Sequence, residues 1–370
     1  MNPFKYSDEQ ISDSEFMIAL PSVIIGVSIL SLPSEVAQVT LFSDGWVSIA
    51  LAGIILTFIA ILAVKVATLF PEQSFLSYTS YLVTRPVAII LTFIYIILSL
   101  FISAFAIRSV AFISQQYLFD HTPMEVLALS FLLVVIYAVS GSRAGIFRLN
   151  VLFLPIILLA FVLVGLFNIQ WIEPVNYLPL FQSDIKDYLQ GITKSFDAYV
   201  GFGIGLFYVF LIKKPQHLTK KVIIGMSIPT GFYVMIFLVT IGIFGNAVTG
   251  NLEYPTIELA KRIDIPGGIF ERIDALVFTI WIMAIFNIVT IFLDICVLLL
   301  LSIFKQMNKR ILTFILSPIV YYITMFPQQV DQVRMIASIL GKSALYFASS
   351  VIIGLYIIAK IRGVTSREKT

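Results

Sequence analysis

Few side chains in this sequence stand where they can do chemistry, and four of them lie inside long apolar runs: Arg108, Asp197, Asn287 and Asp294. A polar or ionisable group at membrane depth is costly and needs a partner or a role. At 1.5 Å per residue, Arg108 lies ~15 Å from the outer end of the third run and Asp294 ~15 Å from the inner end of the eighth, too far apart in depth to pair. Asn287, near the middle of the eighth run, and Asp197, in the outer part of the sixth, are better placed to approach Arg108 or a ligand. Two readings of Arg108 stand side by side: ligand contact, or a fixed strut neutralising Asp197 or Asp274. For Asp294 the plainer reading, a side chain reaching the cytoplasmic interface beside Lys305, is preferred to a proton relay. Tyr95, Tyr199, Tyr208 and Trp281 can line a pocket, although amphipathic aromatics equally pack between helices or sit at the interface.

Catalytic and metal chemistry have little to work with. No Gly-x-Ser-x-Gly elbow, Walker loop, His-Glu-x-x-His or carboxylate pair occurs in the context its chemistry needs. Cys296 stands alone in an apolar stretch, and the two histidines, His121 and His217, fall in different loops, which leaves no multi-cysteine or His-based metal site. No enzyme activity, cofactor or metal is expected.

The elements that must position these groups are membrane helices. Of 370 residues, 59% are hydrophobic and 12% charged, with a mean hydropathy of +1.00; average soluble chains are about a quarter charged. The 24 Lys and Arg nearly balance 21 Asp and Glu, so nucleic-acid binding has no footprint. A helix needs roughly 20 apolar residues to cross a bilayer, and about ten such runs emerge: 13–37, 45–70, 86–118, 123–140, 149–168, 191–212, 221–244, 270–304, 310–326 and 331–361. Sixteen of the Lys and Arg fall on one side of these runs and seven on the other, with Arg108 between; since Lys and Arg in short loops prefer the cytoplasm, both termini are predicted cytoplasmic. The whole chain, 1–370, reads as one transmembrane domain. Outside lie 169–190 and a loop over 245–272, in which Pro255 opens a short helix to about Ile263, predicted to lie along the membrane surface, before the Pro266-Gly267-Gly268 turn.

Spanning helices are interrupted only where protein or a cavity satisfies the freed backbone. The first run reads Pro21-Ser-Val-Ile-Ile-Gly26-Val-Ser28-Ile-Leu-Ser-Leu-Pro33, in which Gly26 permits unwinding and Ser28 can hydrogen-bond a freed carbonyl. The sixth reads Asp197-Ala-Tyr-Val-Gly201-Phe-Gly203-Ile-Gly205-Leu-Phe-Tyr208, with three glycines at alternate positions. The two runs correspond in position and oppose in direction, as two inverted five-helix repeats, 13–168 and 191–361, require. Unwound segments at mid-depth present helix ends to the charged groups of a zwitterion; close helix packing is the other use for such glycines. The predicted ligand contacts are Gly26, Val27, Ser28 and Ile29 at the first break, Gly201, Phe202, Gly203 and Gly205 at the second, and Leu98, Ile102 and Asn287 as walls. Leu98 and Ile102 share a face of the third run.

Gly26-Val-Ser-Ile-Leu-Ser-Leu-Pro33 resembles the Gly-x-Gly-Ile-Leu-x-Leu-Pro turn of amino acid–polyamine–organocation (APC) transporters. Tyr254-Pro-Thr-Ile-Glu-Leu, then Gly267-Gly-Ile-Phe-Glu-Arg-Ile-Asp274, then Trp281, is similar to the signature of the endospore germination permeases, the GerB membrane subunits of nutrient germinant receptors. Asp44-Gly-Trp46, Pro215-Gln-His217 and Phe326-Pro-Gln-Gln-Val330 add to the likeness. The resemblance implies an all-α transporter-like fold in the inner membrane of a bacterial spore. It also implies a small nutrient as ligand, an amino acid above all, and two partners: an A-type membrane subunit and a C-type lipoprotein. Two positions depart from the pattern: Ser28 replaces the second glycine of the transporter turn, and Gly203-Ile-Gly205 stands where relatives carry a glutamate. A proton- or sodium-coupled amino acid transporter and a structural subunit that binds no nutrient are the rival readings.

Overall fold

A computed structural model describes residues 9–213, 215–263, 273–327 and 330–364. The Pro266-Gly267-Gly268 turn, most of the 267–274 motif and Gln328-Gln329 lie outside the described residues, as do Lys5, Lys214, Arg272, Arg367 and Lys369 from the charge count. The described chain is helical, in the order α1 (Asp13–Ile24), α2 (Ser28–Ala37), α3 (Gly45–Thr68), α4 (Phe75–Leu82), α5 (Arg85–Tyr117), α6 (Met124–Ser140) and α7 (Arg143–Phe167). There follow α8 (Ile185–Phe196), α9 (Gly205–Tyr208), α10 (Leu218–Asn251), α11 (Pro255–Lys261), α12 (Ile273–Ile303), α13 (Lys309–Met325) and α14 (Val330–Ile361). Among the described residues, six helices are long and apolar enough to cross a membrane, and the bent pair α1/α2 makes a seventh. The other three expected runs are the shorter α6 and α13 and the interrupted stretch from α8 to α9.

Local chemistry sets the helix starts. Ser12 and Glu15 form a reciprocal capping box, Glu15 N donating to Ser12 Oγ at 3.1 Å and Ser12 N to Glu15 Oε2 at 2.7 Å, which satisfies two otherwise orphaned donors of α1. Ser142 and Asn308 cap α7 and α13 through Gly145 N and Arg310 N, and Pro255 opens α11 where a missing N–H costs nothing.

Helix α12 is the axis of the bundle. Its most apolar 18-residue window is 89% buried, against 28–56% for the other spans, and α5, α7 and α1 pack around it. Apolar side chains on the outer helices face away from protein, among them Phe58 on α3 and Leu133 on α6, the pattern expected of helices against lipid. At one end, Ile11 N donates to Leu211 O at 3.0 Å and Lys213 N to Ile11 O at 3.1 Å, tying the N-terminal stretch to the end of the sixth run.

Three details differ from the sequence reading. Helix α11 does not lie on a surface: Pro255, Thr256, Ile257, Leu259 and Ala260 are buried against the bundle. The helix expected to end at Phe244 continues to Asn251 across a kink at Gly245, whose φ is +72°, so the 245–272 loop begins with helix. Helix α4, unforeseen, buries Phe75, Tyr78, Thr79 and Leu82.

Candidate functional site

The first run is broken. Helices α1 and α2 meet at 56° across a gap of three residues, with Ile25 extended (φ −75°, ψ 96°). Three carbonyls at and beside the break accept from side chains of other helices. Tyr233 Oη donates to Ile24 O at 2.7 Å, Trp281 Nε1 to Gly26 O at 3.1 Å and Thr256 Oγ1 to Ile29 O at 2.7 Å. Ser28, expected to supply such a bond, opens α2 instead. Gly26 is required by close approach, since a Cβ there would collide with Ile288 Cδ1 of α12.

The sixth run is broken as well, by a 3₁₀ turn at Asp197–Tyr199 and irregular backbone up to α9. Its three glycines serve different ends. Gly201 has φ +116°, a region L side chains rarely adopt, and a Cβ there would stand 2.6 Å from Val23 Cγ1 of α1. Gly205 admits Val64 of α3, which a Cβ would meet at 2.7 Å, so the packing reading holds at that position. Gly203 has room for a Cβ, which would make an ordinary contact with Ile352 Cδ1 at 3.5 Å. The two breaks touch: Tyr233 Oη also lies 3.2 Å from Ala198 O, so one hydroxyl spans both.

Beside the second break is a cavity of about 50 Å³, on a measure by which one water needs about 10–15 Å³. Its walls are residues 200–204, Tyr95, Leu98, Ser99 and Ile102 of α5, Phe207, Phe292 and Ile295 of α12, and Ala344, Leu345 and Ala348 of α14. Of the predicted contacts, Leu98, Ile102, Gly201, Phe202 and Gly203 come together here. Gly26, Val27, Ser28, Ile29, Gly205 and Asn287 stand outside the wall. Sequence reasoning missed the α14 face, although the small residues Gly341, Ala344 and Ala348 at helical spacing marked it. It also missed Ser99, one turn on from Tyr95, as a wall residue. Tyr95 is 6% exposed and its hydroxyl has no partner among the described residues.

The intramembrane polar groups fall elsewhere. Asp294 is fully buried and does not reach toward Lys305, which is exposed. Its carboxylate lies 3.0 Å from Lys309 Nζ and 3.2 Å from Arg143 Nε, and accepts from Tyr208 Oη at 2.9 Å. The two cationic contacts are ion pairs rather than aligned hydrogen bonds, and Arg143 extends the cluster to Glu9 at 2.9 Å. The cause is register: antiparallel α7 and α12 bring the first residue of one beside the last turns of the other. Arg108 makes no strut to Asp197. Its Nη1 lies 3.9 Å from Met325 Sδ at the end of α13, where unpaired helix carbonyls favour a cation, whereas Asp197 faces Gly341 on α14. Asn287 is buried with both side-chain polar atoms unpaired among the described residues.

At the end of the bundle away from the termini, Asp44 clasps the segment before α8. Its carboxylate accepts from the backbone N–H groups of Phe181 at 2.7 Å, Gln182 at 2.7 Å and Ser183 at 2.8 Å. Burial pushes its pKa up, but these donors, with Tyr188, outweigh that and hold it below the ordinary value. Gly45 lets Phe237 and Val36 approach, since a Cβ would stand 2.5 and 2.6 Å from them. Asp44-Gly45 thus has a physical reason. Among the described residues no three His, Cys, Asp or Glu side chains gather to hold a metal.

This arrangement, a bent first helix against an unwound sixth, recurs in known proteins. Residues 10–333 match the profile of the family described as spore germination protein. The chain belongs to that family. This family member is 38% identical to the spore germination protein GerLB of Bacillus cereus over 90% of its own length and 89% of that protein's. It is 25% identical to the spore germination protein YndE of Bacillus subtilis (strain 168), over 95% and 97% of the two chains. Among solved structures, MhsT in complex with L-phenylalanine superposes with a TM-score of 0.67 at 16% identity, covering 96% of this chain and 89% of that one. The fold is therefore shared with MhsT, and the chain is a multi-pass membrane protein.

Proposed function

We propose that this protein is the membrane B subunit of a spore germinant receptor, which holds a small nutrient, an amino acid, in the cavity beside Gly201 and signals its occupancy to partner subunits. The observation that carries the reading is the cavity itself, closed on one side by unwound backbone and on the others by α5, α12 and α14. Its small size and apolar walls suit a short aliphatic side chain, and MhsT, which shares the fold, holds L-phenylalanine. Family membership supports the partners, an A-type membrane subunit and a C-type lipoprotein, and the inner membrane of the spore as location. The Lys and Arg asymmetry supports cytoplasmic termini, and the correspondence of the two broken runs supports halves at 13–168 and 191–361.

Signalling needs a ligand that binds one arrangement of the breaks better than another, because equal affinity shifts nothing. Tyr233 couples the breaks, so a change in the unwound sixth run is felt at the α1/α2 bend. The fold equally favours a second reading, a coupled amino acid transporter. Purified protein in nanodiscs and proteoliposomes separates the two: the receptor reading expects saturable binding of a radiolabelled amino acid without concentrative uptake, and robust uptake by this chain alone overturns it. Exchanging residues 198–205 for those of a paralogue is expected to change germinant preference in spores; unchanged preference favours a scaffold.

A further inference from the structure

Asp197 stands outside the cavity wall, three residues before the wall residue Val200, with one carboxylate oxygen unpaired among the described residues. Its Oδ1 is buried and has no hydrogen-bond partner, and no ion pair holds the side chain among the described residues. Oδ1 lies 3.4 Å from where a Cβ on Gly341 would stand. Gly341 shares a face of α14 with the wall residues Ala344 and Leu345, since positions three and four apart stack on a helix. The carboxylate is therefore within about 9 Å of that part of the wall. From the other side, Val200 opens the unwound wall segment three residues after Asp197. Tyr95, edge-on to Phe347 at 5.0 Å, marks the far end of the same cavity with its unpaired hydroxyl.

The charged groups that face Asp197 are Glu35 of α2, Lys342 of α14 and Lys194 of α8, and neither lysine closes an ion pair with it. The cavity wall itself has no charged side chain. Asp294, next to the wall residue Ile295, is already held by Lys309, Arg143 and Tyr208, so among the described residues the carboxylate close to the wall without an ion pair is that of Asp197.

Resting on the nutrient-site reading, we infer that Asp197 is the specificity-determining residue for a protonated amine, so that the site takes small ammonium-bearing solutes and rejects their N-acylated and hydroxy analogues. A partly buried carboxylate that an ammonium group can pair and an amine-free solute cannot is the source of the discrimination.

The test measures binding of L-valine, isobutylamine, N-acetyl-L-valine and 2-hydroxy-3-methylbutanoate to the full chain in nanodiscs. The wild type is expected to bind the first two at least about tenfold more tightly than the last two. Asp197→Asn is expected to weaken the amines about thirtyfold, equivalent to about 2 kcal/mol at 1.4 kcal/mol per decade, and to leave the amine-free probes within about twofold. Thermal unfolding checks that the variant is folded, and if it is not, Asp197→Glu serves in its place, keeping the preference for amines at altered affinity. Equal losses for all four probes, or valine affinity unchanged by Asp197→Asn, overturn the assignment and leave the cavity reading standing. Absence of binding by any probe to the wild type overturns both.

Discussion

Gly201→Ala tests whether the second break is built into the backbone. At φ +116° an alanine bears strain of about 1–3 kcal/mol. Its Cβ also stands 2.6 Å from Val23 Cγ1, closer than real contacts allow, and relieving such overpacking costs about 1–3 kcal/mol more. The expected loss of stability is therefore about 2–6 kcal/mol. The two parts separate in a double-mutant cycle. In a Val23→Ala background the overlap disappears and the strain stays, so Gly201→Ala is expected to cost only about 1–3 kcal/mol there. Reversible unfolding in mixed micelles, followed by tryptophan fluorescence, reads all four corners. A cost below about 0.5 kcal/mol in the native background, well under the strain expected at such a φ, refutes the reasoning. So does complete rescue by Val23→Ala, which leaves no backbone contribution.

Other consequences follow from the same contacts. Asp294→Asn leaves Arg143 and Lys309 without their buried counter-charge and is expected to lower stability by about 3–5 kcal/mol; a smaller effect of Arg143→Gln in that background than alone, measured by thermal unfolding, checks the coupling. Trp281→Phe removes the side-chain donor to Gly26 O, leaving it only the longer bond from Ile29 N, and is expected to cost about 0.5–1.5 kcal/mol, read as a lower unfolding midpoint. Asp44 has a folded pKa below its unfolded one, so its stabilisation is complete above about pH 4, the unfolded carboxyl range, and is lost as pH falls through the folded value. Limited proteolysis of residues 169–184 is expected to accelerate below about pH 4, and Asp44→Asn should remove that dependence while raising the rate at neutral pH.

Much of the fold was legible because lipid imposes a simple rule: long apolar runs become helices, and glycines among them mark where winding fails. The breaks at Gly26 and Gly201 follow from that rule. Helix α4 did not, since eight residues between Pro71 and Pro86 carry too little periodicity to stand out from a loop. The α11 helix was placed by its proline, but its burial depends on Thr256 reaching Ile29 O, a contact spanning more than two hundred positions. The same limit applied to charge. Depth along a helix can be counted, yet the direction a side chain takes cannot, so Asp294 was set beside Lys305 when it turns to Arg143 and Lys309.

What the sequence by itself determined is the chemistry available: a chain too apolar for water, helices of set length, and two segments whose composition lets them unwind. Those are local properties, fixed by desolvation and by backbone freedom at each position. Only the tertiary structure decided which freed carbonyls met which donors, and which α5, α12 and α14 side chains closed the cavity. It also decided that Asp197 faces Gly341 of α14 while Arg108 meets Met325 at the end of α13. Such pairings depend on the rotation and crossing of helices, which many distant contacts set together.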